Sequence, residues 1–370
     1  MRGPATRWSS TQPTSRANSG MELGLVIPGG LPGPSGGSIY NDQLAAALGE
    51  AGHRVTMTPI RGDWPNGSPA DHQKLAEALG KTSGRTDGPV VVDGLMASAA
   101  PEAIRAAVDA GGTVWVLLHL PLPAETGLTD QEMKAFAASE EAALRHASGA
   151  ICTSQWARDD LIRRYGLDQV HVVPPGTEPA GLATGSAPLH LVMLGSLTPR
   201  KNHSMVLSAL ADLADLPWTA SLVGGASPQG SSHVAMLHDQ AAAFEPGRIT
   251  IPGVLQGPAL DAEWARSDLL LLPSLAETFG MVVTEGLARG IPGVVGRGTG
   301  AVEALTGGTA GQLPGAVVDP HDPQELAATL RDWLTDSSLR QSWRAAALSR
   351  RDTLPTWANT ATTLLEIIHP

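Results

Sequence analysis

Short apolar runs alternate with helical stretches along nearly the whole chain, and the alternation breaks once before starting again. The runs "ELGLVIP" (22–28), "HRVTMTPI" (53–60), "PVVVDGL" (89–95), "TVWVLLHL" (113–120) and "GAICTS" (149–154) are separated by stretches such as "IYNDQLAAALGEAG" (39–52) and "MKAFAASEEAALRHA" (133–147). Several runs are continuously apolar rather than alternating. That pattern belongs to parallel strands covered on both faces, because each crossover helix shields one side of the sheet. The segment "VVPPGTEPAGLATGSAP" (172–188) then stops both helix and strand with its Pro and Gly and reads as a linker. Beyond it the order resumes with "LHLVMLGS", "TASLVGG", "RITIPG", "DLLLLPS" and "PGVVGR", and three helical stretches close the chain. The expectation is α/β: two doubly wound Rossmann-like domains facing across a cleft.

The boundaries follow from the same pattern. Residues 1–20 form a disordered extension, 21–180 the N-terminal domain, 181–350 the C-terminal domain, and 351–370 a last helix packing back toward the first domain. The first twenty residues hold Arg and Ser but no acid and no apolar run, so they lack the apolar core of a secretory signal; a transit segment or an upstream start codon fits the same composition. A chain of 370 residues with 42% apolar content supports two cores.

Charge and cysteine usage narrow the partners. The net charge of −11 argues against nucleic acid as a partner, though not against a local basic pocket. The single cysteine, Cys152, rules out an intramolecular disulfide and a cysteine metal cluster, and points to a cytoplasmic setting. No run reaches the ~18 apolar residues of a membrane span; peripheral membrane contact stays open. Only four of the 25 basic residues are lysines, and Lys201 is the only one after Lys134. A chain that otherwise uses guanidinium has kept one compact ammonium there.

In open parallel sheets, ligands bind beyond the carboxyl ends of the strands, so the loops after each apolar run matter most. In "LGSLTPRKN" (194–202), Arg200 and Lys201 directly precede a helical stretch. Cations beside a helix N-terminus are unfavourable unless an anion lies between, and a phosphate meets that need; a solvated surface pair is the alternative. In "PSLAETFGMVVTEGLARGIP" (273–292), Glu277 lies in the loop after a four-leucine strand and Glu285 lies within the following helix. Gly280 allows close backbone approach, and free amides at the helix start can take a phosphate. Two carboxylates at different depths suit the hydroxyls of a sugar and of a ribose, because carboxylates only accept. Taken singly, each Glu also reads as an exposed charge. In the first half, Gly36 and Gly37 of "PSGGS" precede a helix and could offer amides to a pyrophosphate. His119 and Asp93 each end an apolar run, where they face a cleft or, equally, sit as satisfied core groups.

Together these segments resemble glycosyltransferase family 4, the retaining GT-B enzymes. "PSLAETFGMVVTEGLARGIPGVV" is similar to that family's E-x7-E signature, "VMLGSLTPRKNHSMVLSAL" to its phosphate-binding segment, and "GTGAVEAL" to its glycine loop and following Glu. The match runs over residues 190–305 and is looser in "SGGSIYNDQLAAALGEAGHRV" and "VLLHLPLP". The resemblance implies a retaining, hexosyltransferase-like enzyme moving a sugar from a nucleotide-diphospho-sugar to a hydroxyl on a glycan, lipid or small molecule, with no metal and no cofactor. It implies that Arg200 and Lys201 bind phosphate, Glu277 holds sugar hydroxyls, and Phe279, Gly280 and Met281 offer backbone contacts. Glu285 would hold the ribose, Gly36 and Gly37 would approach the diphosphate, and His119 would contact the sugar near the reaction centre. The family's usual Arg after the first-motif glycine is Ser196 here, which leaves one guanidinium fewer at the donor. Two other readings accompany this one: a nucleotide-sugar epimerase on the same architecture, and a non-catalytic nucleotide-sugar binding protein.

Overall fold

The structure is a computed structural model that describes residues 20–31, 35–85, 88–226, 230–308 and 311–369. The extension expected over the N-terminus lies, up to residue 19, outside the described residues, as does Pro34 of the "PSGGS" segment.

Twelve strands form two parallel sheets. The first is built from β1 (Glu22–Gly29), β2 (Arg54–Arg61), β3 (Val90–Asp93), β4 (Val114–Leu118), β5 (Gly149–Cys152) and β6 (Val170–Val172), in the order β2-β1-β3-β4-β5-β6. The second is built from β7 (Leu189–Leu194), β8 (Trp218–Val223), β9 (Ile249–Gly253), β10 (Leu269–Leu272), β11 (Gly293–Gly296) and β12 (Gly315–Val318), in the order β12-β11-β10-β7-β8-β9. Each order reverses once, between β1 and β3 in the first sheet and between β7 and β10 in the second. At such a point the two neighbouring crossovers lie on opposite faces, and the loops leaving the strands diverge and open a crevice.

Burial explains the sequence pattern. β3, β4, β5, β10 and β11 are buried along their whole length, so both of their faces are covered and both must be apolar. The edge strands β2 and β9 instead mix exposed and covered positions. The helices split each sheet's core in two. In the first domain one core lies under the helices Pro69–Arg85, Pro101–Asp109 and Asp130–His146, and the other under Gly36–Glu50.

That second core is completed by the far end of the chain. The helix Trp357–Ile368 sets Trp357, Ala361, Leu364 and Ile368 against Tyr40, Leu44 and Leu48 of the helix Gly36–Glu50. Thr356 caps this last helix through the amide of Asn359. Tyr40 stands edge-on to Trp357, with ring centroids 5.5 Å apart, and its hydroxyl donates to the carbonyl of Val173 at 2.9 Å. The chain therefore crosses between the domains twice, once through 173–188 and once through 352–356. The two crossings touch: the Thr177 amide donates to the Pro355 carbonyl at 2.8 Å.

Candidate active site where the two sheets meet

The loops after β7 and β10 flank the switch point of the second sheet. The first carries Arg200 and Lys201 in a 3-10 turn, Pro199–Lys201, followed by the helix His203–Ala211. The turn is held by the Asn202 side chain, which donates to the carbonyls of Pro273 at 3.0 Å and Pro320 at 2.7 Å. Asn202 has φ +67°, a left-handed conformation that Asn tolerates better than most residues. The stem of Lys201 lies along Gly195, where a Cβ would come within 3.4 Å of its Cε.

The second loop carries Glu277. Lys201 Nζ donates to Glu277 Oε2, Arg200 Nη1 lies 3.9 Å from the same oxygen, and all three side chains are nearly buried. Arg200 Nη1 also donates to the carbonyl of Ala276 at 2.9 Å. The anion between these cations in the ligand-free chain is thus the protein's own carboxylate. Burial by itself would raise the Glu277 carboxyl, but Lys201 and Arg200 outweigh it and hold it below the usual carboxylate range. Behind them His203 is fully buried; burial, reinforced by His233 and Lys201, pushes its imidazole down to about 3. It stays neutral at pH 7 and adds no charge beside Lys201.

Gly280, at φ +85°, turns the chain into the helix Met281–Ala288. No side chain caps this helix, and Val283 is its first residue whose amide bonds back, to the carbonyl of Gly280. Among the described residues the amides of Met281 and Val282 have no partner and can take a ligand oxygen. Phe279 is buried in the core with Leu272, Val283 and Ala301, so its ring is structural and only its backbone is left for a ligand. Ser196 is exposed just beyond β7.

Glu285 is half-buried in that helix. Burial pushes its carboxyl above the ordinary value of 4.5, and Arg289 offsets this only in part. The Arg289 guanidinium lies over the Trp264 ring at 4.9 Å and donates to the backbone carbonyl of Glu285, not to its side chain. A raised acid contributes stability that is present below its unfolded value and lost as pH rises through the folded one. Glu285→Gln should therefore raise the melting temperature of the protein at pH 7 and change little at pH 4. Thermal melts at the two pH values check this.

On the facing domain, Gly36 and Gly37 are the first residues of the helix Gly36–Glu50, capped by Ser35 through the amide of Ser38 at 3.1 Å. Gly37 abuts His119, since a Cβ there would sit 2.9 Å from His119 Cδ2. His119 follows β4, is partly buried, and places Nε2 3.0 Å from Asn41 Oδ1 and 3.5 Å from Asp93 Oδ2. Its Nε2 is thus held by a side-chain network. Asp93 caps the short helix after β3 through the Leu95 amide and accepts from Asn41 Nδ2 at 2.8 Å.

The two halves are joined at this place. Thr278 Oγ1 donates to the carbonyl of His119, and Ser154 Oγ donates to the carbonyl of Thr278. Glu303 accepts from the amides of Gln155 and Trp156, both at 3.1 Å, capping the helix Gln155–Tyr165 from the other domain. Arg200 Nε donates to Glu125 Oε2 at 3.2 Å, the one ion pair between the domains among the described residues. Gly37, His119, Thr278, Glu277, Lys201 and Arg200 thus form one continuous chain of contacts. Gly36 adjoins it through Gly37, while among the described residues the side chains of Glu285 and Ser196 make no hydrogen bond to it. Asn41, Glu125, Ser154 and Thr278 went unnoticed in the sequence. Thr278 stands between two singled-out residues, and Ser154 follows a strand directly, but neither position by itself signals a partner in the other domain.

Two doubly wound parallel sheets meeting at their carboxyl edges are the GT-B fold. Residues 177–350 match the family model described as Glycosyl transferases group 1. The chain is similar to the D-inositol 3-phosphate glycosyltransferase of Jonesia denitrificans, 30% identical over 263 residues, covering 64% of this chain and 60% of that protein. The protein of the same name from Kineococcus radiotolerans is 29% identical over 255 residues, covering 62% and 58%. The chain thus spans about three-fifths of the length of these curated relatives. Among solved structures, a sucrose-phosphate synthase from Thermosynechococcus elongatus superposes with a TM-score of 0.75 at 19% identity, covering 94% of this chain and 98% of that one. The Anabaena protein HepE in complex with UDP-glucose gives a TM-score of 0.74 at 19% identity, covering 94% and 99%.

Proposed function

We propose that the protein is a retaining glycosyltransferase of family 4 that moves a sugar from a nucleotide-diphospho-sugar to a hydroxyl acceptor, with no metal. The observation that carries this reading is the convergence of Lys201, Arg200 and Glu277 beside the open amides of Met281 and Val282, across from His119 and Gly37. The reaction must stabilise a departing diphosphate while the anomeric carbon becomes cation-like. Fixed positive charge in a nearly buried site does that at little reorganisation cost. Lys201 and Arg200 take the phosphate oxygens, and the free helix amides and those of Gly36 and Gly37 add donors. Glu277 then accepts from sugar hydroxyls and Glu285 from the ribose.

The bond from the anomeric carbon to the diphosphate oxygen breaks with its electron pair going to the phosphate. The acceptor oxygen forms the new bond on the same face, and its proton passes to the departing diphosphate. Closure of the two domains excludes water that would otherwise take the acceptor's place. In place of the family's usual Arg, Ser196 leaves Arg200 as the guanidinium nearest the phosphates.

The names of the curated relatives point to a phosphorylated cyclitol as one acceptor to test, and HepE's complex points to UDP-glucose as one donor. The test is a panel of nucleotide sugars scored by thermal stabilisation, followed by transfer to D-inositol 3-phosphate and to neutral sugars, with product configuration read by NMR. Isomerised donor without an acceptor would replace this reading with an epimerase. Stabilisation without transfer or hydrolysis would replace it with a binding protein.

A further inference from the structure

Asn41 lies one turn into the helix Gly36–Glu50 and is 3% exposed. Its Nδ2 donates to Asp93 Oδ2 at 2.8 Å. A carboxylate only accepts, so the amine end of the amide is the end facing Asp93 and the carbonyl end must face the other way. That oxygen lies 3.0 Å from His119 Nε2, and Asp93 Oδ2 lies 3.5 Å from the same nitrogen. Both groups facing Nε2 are acceptors, so the ring proton belongs there. The ring is also fixed in place: Gly37 leaves room for its edge, and the Tyr40 ring meets it edge-on at 5.1 Å. Burial keeps the imidazole's proton affinity below the ordinary value, with Asp93 opposing in part, so the ring is neutral. His119 Nδ1 has no hydrogen-bond partner among the described residues.

We propose that Asn41, held by Asp93, locks His119 as the Nε2–H tautomer and so presents Nδ1 to the ligand as a hydrogen-bond acceptor. The group received there must be a donor, a sugar hydroxyl, and not an ionised phosphate oxygen, which has no proton to give. Asn41 is thereby a positioning residue: it sets which end of the ring meets the ligand, as outer partners of metal-bound histidines do. The division of labour at the junction follows, with phosphate on the Lys201 side and hydroxyl on the His119 side. The identity of the hydroxyl rests on the proposed function; the tautomer does not.

The test is 15N NMR on ligand-free protein labelled at the histidine ring nitrogens, with His119 assigned by His119→Gln. The expected result is a protected Nε2–H proton with one-bond coupling and an Nδ1 resonance at the bare-nitrogen position. In Asn41→Leu the protected proton should disappear and the two resonances should move toward a solution mixture of tautomers. A protonated Nδ1 in the unmodified protein overturns the proposal without any variant having to fold. Saturation with UDP-glucose should move the Nδ1 resonance in the direction of an accepted hydrogen bond; bound UDP-glucose with Nδ1 unmoved overturns the acceptor role. If UDP-glucose and every other nucleotide sugar fail to bind, the glycosyltransferase reading falls, while the ligand-free spectrum decides the tautomer separately.

Discussion

On the proposed function, Lys201→Ala should lose roughly 10²–10³-fold in turnover, because it removes a fixed charge aimed at the leaving group from a nearly buried site. The same change has a second signature. Lys201 donates to Glu277, and without it a buried carboxylate keeps only Arg200 at 3.9 Å. Stability falls by about 3 kcal/mol, the order expected when one partner of a buried pair is removed. The pH dependence follows in sign. The Glu277 carboxyl lies below its ordinary value of 4.5 in the folded protein, so its contribution is complete above that value and is lost as pH falls through the folded one. Without Lys201, burial outweighs Arg200 and the carboxyl moves above its ordinary value, so the dependence reverses and stability is lost as pH rises through the folded value. Turnover assays together with denaturant titrations between pH 4 and 7 measure both effects, and near-normal transfer by a folded Lys201→Ala protein would sink the proposed role.

Gly300→Ala loses about 10²-fold in activity and about 2–3 kcal/mol in stability. The backbone at Gly300 is helical, with φ −64°, so alanine's conformational preference is no obstacle. The obstacle is space. A Cβ there would sit 1.9 Å from the carbonyl oxygen of Thr278 and 3.0 Å from the amide nitrogen of Phe279, and neither can swing aside as a side-chain tip would. The Gly300 amide also donates to the Glu277 carbonyl at 2.7 Å, so the glycine holds the loop it touches. Displacing that loop shifts Glu277, the start of the helix Met281–Ala288 and the Thr278 contact to His119 together. Steady-state kinetics on a variant with a verified cooperative unfolding transition measure the loss; an unchanged rate would mean that the loop's position does not govern catalysis.

The sequence carried the architecture because the periodic signal was strong. Four leucines in β10 and the apolar runs in β3 and β4 are demanded by two-sided burial, and their alternation with helical stretches marks them as parallel strands. It placed Lys201 and Glu277 in loops after strands, but their direct pairing depends on which strands are neighbours. β7 and β10 are far apart in the chain and adjacent in the sheet, and adjacency is not a local property. The same limit hid the links between domains. Glu303 caps a helix that begins 148 residues earlier, at Gln155, a distance over which periodicity says nothing. Asn41 was hidden for a different reason. It lies inside an Ala- and Leu-rich helix where a lone amide looks like tolerated polarity, and only its two partners, Asp93 and His119, give it a task.

The double passage of the chain between the halves has a mechanical meaning. Gly176 packs so tightly on the backbone of Thr356 and Trp357 that a Cβ would lie 2.2 Å from the Trp357 nitrogen, and the Thr177–Pro355 bond sits beside it. Two segments pinned together at one spot act like the knuckle of a door and restrain the lobes from sliding apart. A gap opening between lobes joined in this way would widen at the rim opposite that knuckle.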